Sequence, residues 1–461
     1  MSKIKISRYI EVVVDGAEKV IFSLRTARFA RLNEREYQTI FIDKNFEGVP
    51  SEIVGILLEK KILINEDENE IEELDEMRKE AIQSSNCEKT THFVITPTMD
   101  CNARCYYCFE HGAHHMKMTP EMAHDVARYM ISKSGNENIS VYWYGGEPLM
   151  ATDIIDIIVA ELKSANKTFS SRITTNGYFL TDENLKKAKN EWNVEMIQVP
   201  LDDIGDEYNR IKNYKKPHAD NPFDLIINNI GATLDAGICT RIRINFDPRD
   251  MSKITRIVDF VEKTFGDNPN LLYHFKPIGA QNIPWMSEIP WEGDDSLKTY
   301  YALSKKYQRK KAPYKFHKTC VMCGNKTCAK NLGSTWDALD NYGLLPVRSN
   351  CGGVTNKAIA IDSCGNLYVC HLMLGQDPEQ YSSGTIYTDF ENNKMTQEYH
   401  SSELTDECKK CKLLPLCQGG CKYRIHQYPQ KENRCVYYKH QLNNLLKYML
   451  DEFKEQNISI D

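Results

Sequence analysis

The run Thr91-His-Phe-Val-Ile-Thr96, rich in β-branched and aromatic residues, opens a strand, loop and helix pattern that repeats along the middle of the chain. Stretches with helical apolar spacing, such as 154–162 and 254–265, lie between the β-rich runs. The later β-rich runs cover residues 139–144, 171–175, 195–201, 240–246 and 271–275. Six such units predict an α/β fold with a parallel sheet and helices outside it, either an open doubly wound sheet or a partial barrel. In such folds the reacting groups lie at the C-terminal ends of the strands.

Three cysteines follow the first predicted strand, in Cys101-Asn-Ala-Arg-Cys105-Tyr-Tyr-Cys108. A structural metal site usually has four protein ligands, whereas three ligands leave one position open for another molecule. The spacing is compatible with an iron-sulfur cluster held by three thiolates. It is also compatible with zinc and a fourth ligand further along the chain. The candidates for that ligand are His111, His114 and His115.

The three-cysteine loop, with Tyr107 before its last cysteine, resembles the signature of the radical S-adenosylmethionine (radical SAM) superfamily. A second loop, Gly145-Gly146-Glu147-Pro148, resembles the glycine-rich motif of that superfamily, which contacts the amino group of the methionine moiety. The resemblance covers roughly residues 91–280 and implies a partial (β/α)6 TIM-like barrel. It also implies a 4Fe-4S cluster whose open iron binds S-adenosyl-L-methionine, so that this cofactor takes the place of a fourth cysteine.

Further candidates for contacts with S-adenosylmethionine lie at the ends of later strands. By the same resemblance, Thr175 and Asn176 are candidates for contacting its ribose or carboxylate, and Arg243 and Asn245 are further candidates for contacts with the cofactor. An ordinary structural explanation also exists, since Asn-Gly is a common turn dipeptide. Asp202 ends the fourth strand and is placed to face a substrate, but its neighbours depart from the superfamily pattern. No catalytic general base is therefore assigned.

A second group of cysteines lies further along the chain, with the spacing Cys408-x2-Cys411-x5-Cys417-x3-Cys421. Upstream, residues 362–370 predict a hairpin that ends in a cysteine. A zinc ribbon is one interpretation of the four-cysteine run. The whole pattern resembles the SPASM domain, an extension of radical SAM enzymes that usually binds two auxiliary 4Fe-4S clusters.

The SPASM resemblance implies the ligands of both auxiliary clusters by position. The outer cluster would be held by Cys408, Cys411, Cys417 and Cys435, and the inner one by Cys351, Cys370 and Cys421. The inner cluster then lacks a fourth ligand, for which the candidates are Cys364, Cys320, Cys323, Cys328 and a substrate thiolate. Three 4Fe-4S clusters per chain are therefore expected. Cys87 and Cys239 are predicted to be ordinary core or linker cysteines.

Residues 1–86 are predicted to form a separate, winged-helix-like module for peptide recognition. Two β-rich runs on either side of Asp15-Gly16 predict a hairpin, and Asn33 with Glu36 predicts a capped helix. An acidic linker at residues 65–75 is predicted to close the module. The other expected domains are the radical SAM barrel (87–310), a bridging region with extra cysteines (311–350) and the SPASM domain (351–461).

Enzymes with the SPASM extension mostly act on peptides or proteins. Those that make ribosomal peptide natural products often carry an N-terminal module that binds a leader peptide along a sheet edge. The resemblance therefore implies a maturase that installs a thioether or another crosslink in a ribosomal precursor peptide, with ferredoxin or flavodoxin as an electron donor. Auxiliary clusters could accept the electrons that such a crosslink releases. The N-terminal module could instead only support the barrel.

Three other functions remain open at this point. One is an anaerobic sulfatase-maturing-type enzyme that oxidises Cys or Ser to formylglycine, and another is a peptide epimerase. The third, an iron-sulfur electron carrier without catalysis, belongs to a different class. The Gly145-to-Pro148 loop argues against a carrier, because a carrier has no use for a cofactor-binding loop.

Composition argues against several further classes. The chain of 461 residues has a net charge of -6 and no long basic run, so no nucleic-acid partner is expected. No stretch approaches the roughly 18 continuous apolar residues of a membrane span, and no signal-peptide pattern is present. The 16 cysteines cluster at short spacings, which favours metal ligation over disulfides. A cytoplasmic enzyme without a membrane partner is expected.

Overall fold

The computed structural model describes residues 3–85, 89–108, 110, 116–215, 217, 219–247, 249–278, 299–300, 302–304, 306–307, 357–388, 390–401, 403–423 and 438–455. These residues fall into two compact units. The first unit contains residues 3–85 and the described residues from 403 onward. The second contains the described residues from 89 to 307 and from 357 to 401. The four domain boundaries expected from the sequence stay predictions.

The first unit contains two small sheets. Its strands are β1 (Ile4–Ile6), β2 (Ile10–Asp15), β3 (Glu18–Ser23), β4 (Arg28–Asn33) and β5 (Leu63–Asn65). Strands β2, β3 and β4 form an antiparallel meander, and β1 pairs antiparallel with β5. The predicted hairpin is confirmed, because Asp15 pairs with Glu18 across a turn in which Gly16 has a φ of +64°. Glycine adopts this conformation without strain.

Three α-helices follow among residues 34–85 of the first unit: α1 (Glu34–Tyr37), α2 (Ser51–Glu59) and α3 (Glu70–Ser85). The predicted capping box is present at the start of α1. Asn33 Oδ1 accepts a hydrogen bond from the Glu36 amide, and the Glu36 carboxylate accepts one from the Asn33 amide, both at 2.9 Å. These bonds satisfy amides that the first turn of a helix leaves without partners.

The predicted acidic linker at residues 65–75 is wrong in its second half, because α3 begins at Glu70. The buried side chain of Arg25 forms ion pairs with Glu68 at 2.7 Å, with Glu70 at 3.2 Å and with Glu73. Acidic residues also suit the first turn of a helix, where the peptide dipoles present positive partial charge. The charge run therefore neutralises a buried arginine and starts a helix.

The second unit is built on an eight-stranded sheet. Its strands are β6 (His92–Ile95), β7 (Ile139–Trp143), β8 (Phe169–Thr174), β9 (Val194–Pro200), β10 (Cys239–Phe246), β11 (Leu271–Pro277), β12 (Ala358–Ile361) and β13 (Leu367–Tyr368). The strand order is β11-β10-β9-β8-β7-β6-β12-β13. The six predicted parallel strands are confirmed, and β12 adds a further parallel strand beside β6. The predicted hairpin at residues 362–370 is confirmed by the antiparallel pairing of β12 with β13.

Helices follow the strands of this sheet, and most of them bury apolar side chains. They are α4 (Pro120–Ser134), α5 (Thr152–Ser164), α6 (Asp182–Asn190), α7 (Gly205–Lys212), α8 (Pro222–Asp235), α9 (Ser252–Phe265), α10 (Pro378–Tyr381) and α11 (Lys394–His400). On β10, Ile242 and Ile244 are fully buried, while Arg241 and Arg243 alternate with them and lie on the opposite face. Since β6, β7 and β8 are parallel neighbours, the loops that leave their C-terminal ends lie side by side.

The C-terminal part of the first unit contains α12 (Asp406–Lys410), α13 (Leu414–Cys417) and α14 (Tyr438–Glu455). Helix α14 packs against β2, where Asn443 Nδ2 donates a hydrogen bond to the Val12 carbonyl oxygen at 2.9 Å. Within the described ranges, no helix combines the length and the apolar character needed to cross a membrane.

Candidate active site

The three-cysteine loop lies at the C-terminal end of β6, as the sequence predicts, and its three thiols are partly buried. Burial raises the pKa of the Cys101 and Cys108 thiols to about 12, and it also raises the pKa of Cys105. The thiols are therefore protonated at neutral pH unless a cation displaces their protons, as metal coordination does.

The glycine-rich loop after β7 packs directly on the chain that leads into the cysteine loop. A Cβ atom added to Gly146 would lie 2.2 Å from the Asp100 carbonyl oxygen, and one added to Gly145 would lie 2.3 Å from Cγ2 of Thr96. The Glu147 amide donates a hydrogen bond to the same Asp100 oxygen at 2.8 Å. Only glycine permits this approach, so the two glycines fix the distance between the loops.

Glu147 connects the glycine-rich loop to the loop after β8. Its buried carboxylate accepts hydrogen bonds from the Thr175 hydroxyl at 2.7 Å, the Asn176 amide at 2.7 Å and the Leu149 amide at 3.1 Å. Burial raises the pKa of this carboxyl to about 7, against the effect of those bonds. Asn176 Nδ2 in turn donates to Asn102 Oδ1 in the cysteine loop at 2.7 Å. The three loops therefore form one hydrogen-bonded group.

A buried ion pair supports the cysteine loop from one side. Lys212 Nζ, at the end of α7, lies 2.6 Å from Asp202 Oδ2, just after β9, and both side chains are at most 2% exposed. Asp202 also accepts hydrogen bonds from the Tyr107 hydroxyl and, at 2.7 Å, from Asn245 Nδ2. The Lys212 carbonyl accepts the Arg104 amide at 2.8 Å.

The protonation state of Asp202 follows from its burial and from the ammonium group of Lys212 beside it. Burial opposes ionisation of Asp202, but the ammonium of Lys212 beside it holds the pKa of that carboxyl below its usual value. Asp202 is therefore an ionised anchor for Tyr107 and the cysteine loop.

Arg243 lies next to this network, with its Nε donating to Asn245 Oδ1 at 2.9 Å. Pro148 begins a short 3-10 helix that leads into α5. The nine residues predicted to contact S-adenosylmethionine thus lie on three loops and the end of β10: Tyr107, Gly145, Gly146, Glu147, Pro148, Thr175, Asn176, Arg243 and Asn245. Their contacts with the cofactor stay predictions.

The chemistry of the donor set fits an iron-sulfur cluster. One short loop offers three partly buried thiols, and Asn176 Nδ2 lies 3.8 Å from Cys101 Sγ, as a hydrogen-bond donor to sulfur. Among the described residues, no three His, Cys, Asp or Glu side chains converge on a single metal ion. The ligands of a cluster each bind a different iron, so they need not converge. The zinc alternative depends on His111, His114 and His115, which lie outside the described residues.

The cysteines of the second group are only partly described. Cys408, Cys411, Cys417 and Cys421 are partly buried and belong to the first unit, while Cys370 belongs to the second unit. Cys364 is exposed at the turn of the β12-β13 hairpin, 3.6 Å from Met116 Sδ. Several predicted ligands and candidates lie outside the described residues: Cys351, Cys435, Cys320, Cys323 and Cys328. Cys87 also lies outside them. Both auxiliary clusters stay predictions. Cys239 is buried with Met196 and Leu272, as expected of a core cysteine.

Sequence reasoning missed Lys212. It lies in Arg210-Ile-Lys-Asn-Tyr, where a lysine at the end of a helix is normally exposed, so no local signal marks its burial. It also missed the role of Glu147 as a link between loops, because a motif gives no information about contacts within the protein.

The matches to known proteins agree with this site. Residues 95–261 match the family model of the radical SAM superfamily, so the chain carries a radical SAM domain. Members of this superfamily are enzymes that use a 4Fe-4S cluster and S-adenosylmethionine, and the radical SAM prediction is confirmed.

Two curated relatives illustrate the range of similar proteins. The chain is 27% identical over 197 residues to a GTP 3',8-cyclase of Limosilactobacillus fermentum, a match that covers 42% of this chain and 57% of the cyclase. It is thus aligned with little more than half of that relative. It is 24% identical over 344 residues to a cysteine-type anaerobic sulfatase-maturating enzyme of Clostridium perfringens, which covers 70% of this chain and 86% of that enzyme.

Two solved structures share the fold. Native anSMEcpe with bound AdoMet and the Cp18Cys peptide aligns with a TM-score of 0.56 at 17% identity, over 80% of this chain and 99% of that one. Streptococcus suis SuiB bound to the precursor peptide SuiA aligns with a TM-score of 0.50 at 16% identity, over 94% of this chain and 98% of SuiB. These likenesses establish the fold of the chain.

Proposed function

We propose that this chain is a radical SAM peptide maturase that forms a thioether or another intramolecular crosslink in a ribosomal precursor peptide. One observation carries the radical part of this proposal. The cysteine loop, the glycine-rich loop and the Thr175-Asn176 loop are locked to one another at the C-terminal edge of a parallel sheet. Such an edge is where α/β enzymes bind cofactors.

Each residue at this edge has a part in the proposal. Cys101, Cys105 and Cys108 would hold the 4Fe-4S cluster, and the glycine-rich loop would bind the methionine end of S-adenosylmethionine. When bound, these groups supply a deoxyadenosyl radical that takes a hydrogen atom from the substrate. Lys212, Asp202 and Tyr107 hold the cysteine loop in place from inside the protein.

The peptide substrate and the crosslink are the finer part of the proposal. A thioether forms when one C–H and one S–H bond are lost and one C–S bond is made. One hydrogen ends on 5'-deoxyadenosine, and the remaining proton and electron must leave the substrate. The cysteines of the second group would hold the clusters that accept this electron. SuiB, whose fold aligns over most of this chain, was solved with a precursor peptide.

The first unit offers a place for a leader peptide. Strand β4 forms one edge of the β2-β3-β4 sheet, and no described strand pairs with its outer side. Helix α14 packs against β2 at the opposite edge. An added peptide strand would therefore pair with β4, where main-chain hydrogen bonds supply affinity.

The alternative is anaerobic sulfatase-type maturation, in which a cysteine or serine is oxidised to formylglycine. The alignment to the Clostridium perfringens enzyme over 70% of this chain favours it equally. A peptide epimerase is a third outcome of the same radical chemistry.

The experiment uses the full chain, reconstituted anaerobically with iron and sulfide, and incubated with S-adenosylmethionine, a reductant and small peptides encoded near its gene. Tandem mass spectrometry in deuterated water separates the outcomes. Any of these crosslinks removes two hydrogens, and a thioether also blocks alkylation of a thiol. Formylglycine from cysteine removes the sulfur and reacts with hydrazides, whereas epimerisation adds one deuterium. Formation of 5'-deoxyadenosine without any peptide change would contradict the peptide part of the proposal.

A further inference from the structure

A group of cations lies on one face of the second unit's sheet, which we call the polar face. The polar face consists of side chains that alternate with buried apolar ones on β7 to β11: Tyr142, Arg172, Thr174, Gln198, Arg241, Arg243, His274 and Lys276. The strand register aligns Arg241 with Gln198 and Arg243 with His274. Paired residues on parallel strands point to the same face. We call Arg172, Arg241 and Arg243 the arginine cluster.

Two members of the arginine cluster, Arg172 and Arg241, are close enough for one to influence the other. Burial and the neighbouring Arg172 lower the pKa of Arg241. Burial, with Arg243, Arg241 and Lys276, lowers the pKa of His274 to about 4. The His274 imidazole is therefore neutral at neutral pH, because its burial and, to a smaller extent, the positive charges around it oppose protonation.

The arginine cluster has no carboxylate partner among the described residues. Neither Arg172 nor Arg241 forms an ion pair there, and Arg243 donates to the neutral side chain of Asn245. Asp202, the carboxylate beside Asn245, is already paired with Lys212. Three guanidiniums thus share a partly buried face without a counter-charge from this part of the chain.

Four other arginines of the same unit behave differently. Arg128, Arg210, Arg249 and Arg256 each form an ion pair with an aspartate or glutamate. Gathering like charges away from water destabilises a protein unless an opposite charge binds them. Guanidinium groups match carboxylates in shape, with two parallel hydrogen bonds. The arginine cluster is therefore suited to bind an anion that these residues do not supply.

We propose that Arg172 and Arg241 of the arginine cluster bind the carboxylate of an aspartate or glutamate side chain in the peptide substrate, while Arg243 keeps its predicted contact with S-adenosylmethionine. This inference rests on the proposed function, since it places an acidic residue of the peptide beside the site of hydrogen abstraction. Arg243 reaches the active-site network through Asn245. Arg241 lies two residues earlier on β10, about 7 Å further from the strand end. The acidic side chain would thus enter from the loop edge and orient the backbone that precedes or follows it.

The test compares two synthetic peptides, acetyl-Ala-Glu-Ala-amide and acetyl-Ala-Gln-Ala-amide, on the anaerobically reconstituted full chain at low ionic strength. Dissociation constants are measured by calorimetry for wild type and for Arg241→Gln and Arg172→Gln. The Glu peptide should bind about tenfold or more tightly than the Gln peptide to wild type, since a charge-assisted hydrogen bond contributes roughly 1.5–3 kcal/mol. Either variant should lose this preference.

Arg128→Gln is the matched control, because Arg128 is exposed on α4 and pairs only with Asp125 among the described residues. It should keep the preference for the Glu peptide. Far-UV circular dichroism and iron content establish that each variant is folded. Equal binding of both peptides to wild type would overturn the inference. So would a preference that survives in both variants.

Two further measurements separate the possible failures. GTP is tested as an alternative anion. If GTP binds in a manner that depends on Arg241 and the Glu peptide does not bind, the assignment of a peptide carboxylate as the ligand is overturned. Formation of 5'-deoxyadenosine is followed in the same samples. Absence of that product in wild type would contradict the proposed function, whereas its presence without a Glu preference would contradict only this inference.

Discussion

Arg25 in the first unit and the arginine cluster in the second unit both take guanidiniums away from water, but only Arg25 is neutralised by the chain. Arg25 is 6% exposed by its side chain and pairs with Glu68, Glu70 and Glu73. The arginine cluster has no such partner among the residues that the structure describes. A buried cation with a full set of carboxylates has a structural role. A group of cations without them is arranged for a ligand.

The largest expected effect concerns a third buried cation, Lys212, which Asp202 neutralises at the active site. Lys212→Met should destabilise the protein by about 3–5 kcal/mol, because it leaves the Asp202 carboxylate buried without its partner. It should also abolish S-adenosylmethionine cleavage, since Asp202 anchors Tyr107 beside the cysteines. Denaturant titration and 5'-deoxyadenosine formation measure the two effects.

Lys187→Met is the control for that variant. Lys187 pairs with Asp156 at 2.8 Å but is 23% exposed by its side chain, and such pairs contribute less than about 1 kcal/mol. Equal losses of stability in the two variants would contradict a structural role for the Asp202–Lys212 pair.

Arg25→Met tests the neutralised arginine. It should destabilise the first unit by about 2–4 kcal/mol, less than a fully enclosed pair because Glu73 is 43% exposed. Hydrogen exchange of amides in α3 and β3 would measure the loss. Protection that matches wild type in those elements would contradict the structural role of Arg25.

The same group gives a pH dependence. Burial opposes ionisation of Glu68, but hydrogen bonds from Lys61 and Arg25 hold the pKa of that carboxyl below its ordinary 4.5. A lowered pKa in the folded state means that this stabilisation is present above pH 4.5 and is lost as the pH falls below it. Protection of α3 should therefore decline in acid in wild type and decline less in Arg25→Met.

Two glycine substitutions should have opposite effects. Gly146→Ala places a Cβ 2.2 Å from the Asp100 carbonyl oxygen, so the loops must separate, at a cost of about 1–3 kcal/mol. A shift of this kind should lower S-adenosylmethionine cleavage by about a hundredfold. Gly55→Ala, within α2, meets nothing within 4 Å and should stabilise the protein by up to about 1 kcal/mol. Full activity of Gly146→Ala would contradict the role given to the close approach.

The smallest expected effect concerns Arg241. Arg241→Gln should change the free energy of unfolding by less than about 1 kcal/mol, and towards greater stability, because it removes a like charge. Measured beside Arg25→Met, it shows whether the two kinds of arginine differ as described. A loss as large as that of Arg25→Met would show that Arg241 has a structural partner.

Much of the second unit could be predicted from sequence, because its strands correspond to separate β-rich runs between helical stretches. Strand β12 was not foreseen as a neighbour of β6, since a run of only four apolar residues far along the chain gives no sign of its partner. Strand β4 was missed for a related reason. It contains Arg28, Arg31 and Asn33, which blur the pattern of a strand.

The site divides in the same way. The cysteine and glycine-rich loops are recognisable because metal ligation and close backbone approach need particular residues at fixed spacings. Lys212 and the bonds of Glu147 depend on distant parts of the chain that meet only in the fold. The alternation Arg241-Ile-Arg-Ile-Asn245 did carry a signal for the arginine cluster, since a period of two places both arginines on one face.

The most direct test of the radical SAM assignment is the iron content and S-adenosylmethionine cleavage of wild type and of the variant with Cys101, Cys105 and Cys108 changed to Ala, after anaerobic reconstitution. The account predicts that the variant holds about four fewer irons and forms no 5'-deoxyadenosine. A variant that keeps all of its iron and cleaves S-adenosylmethionine at the wild-type rate would contradict it.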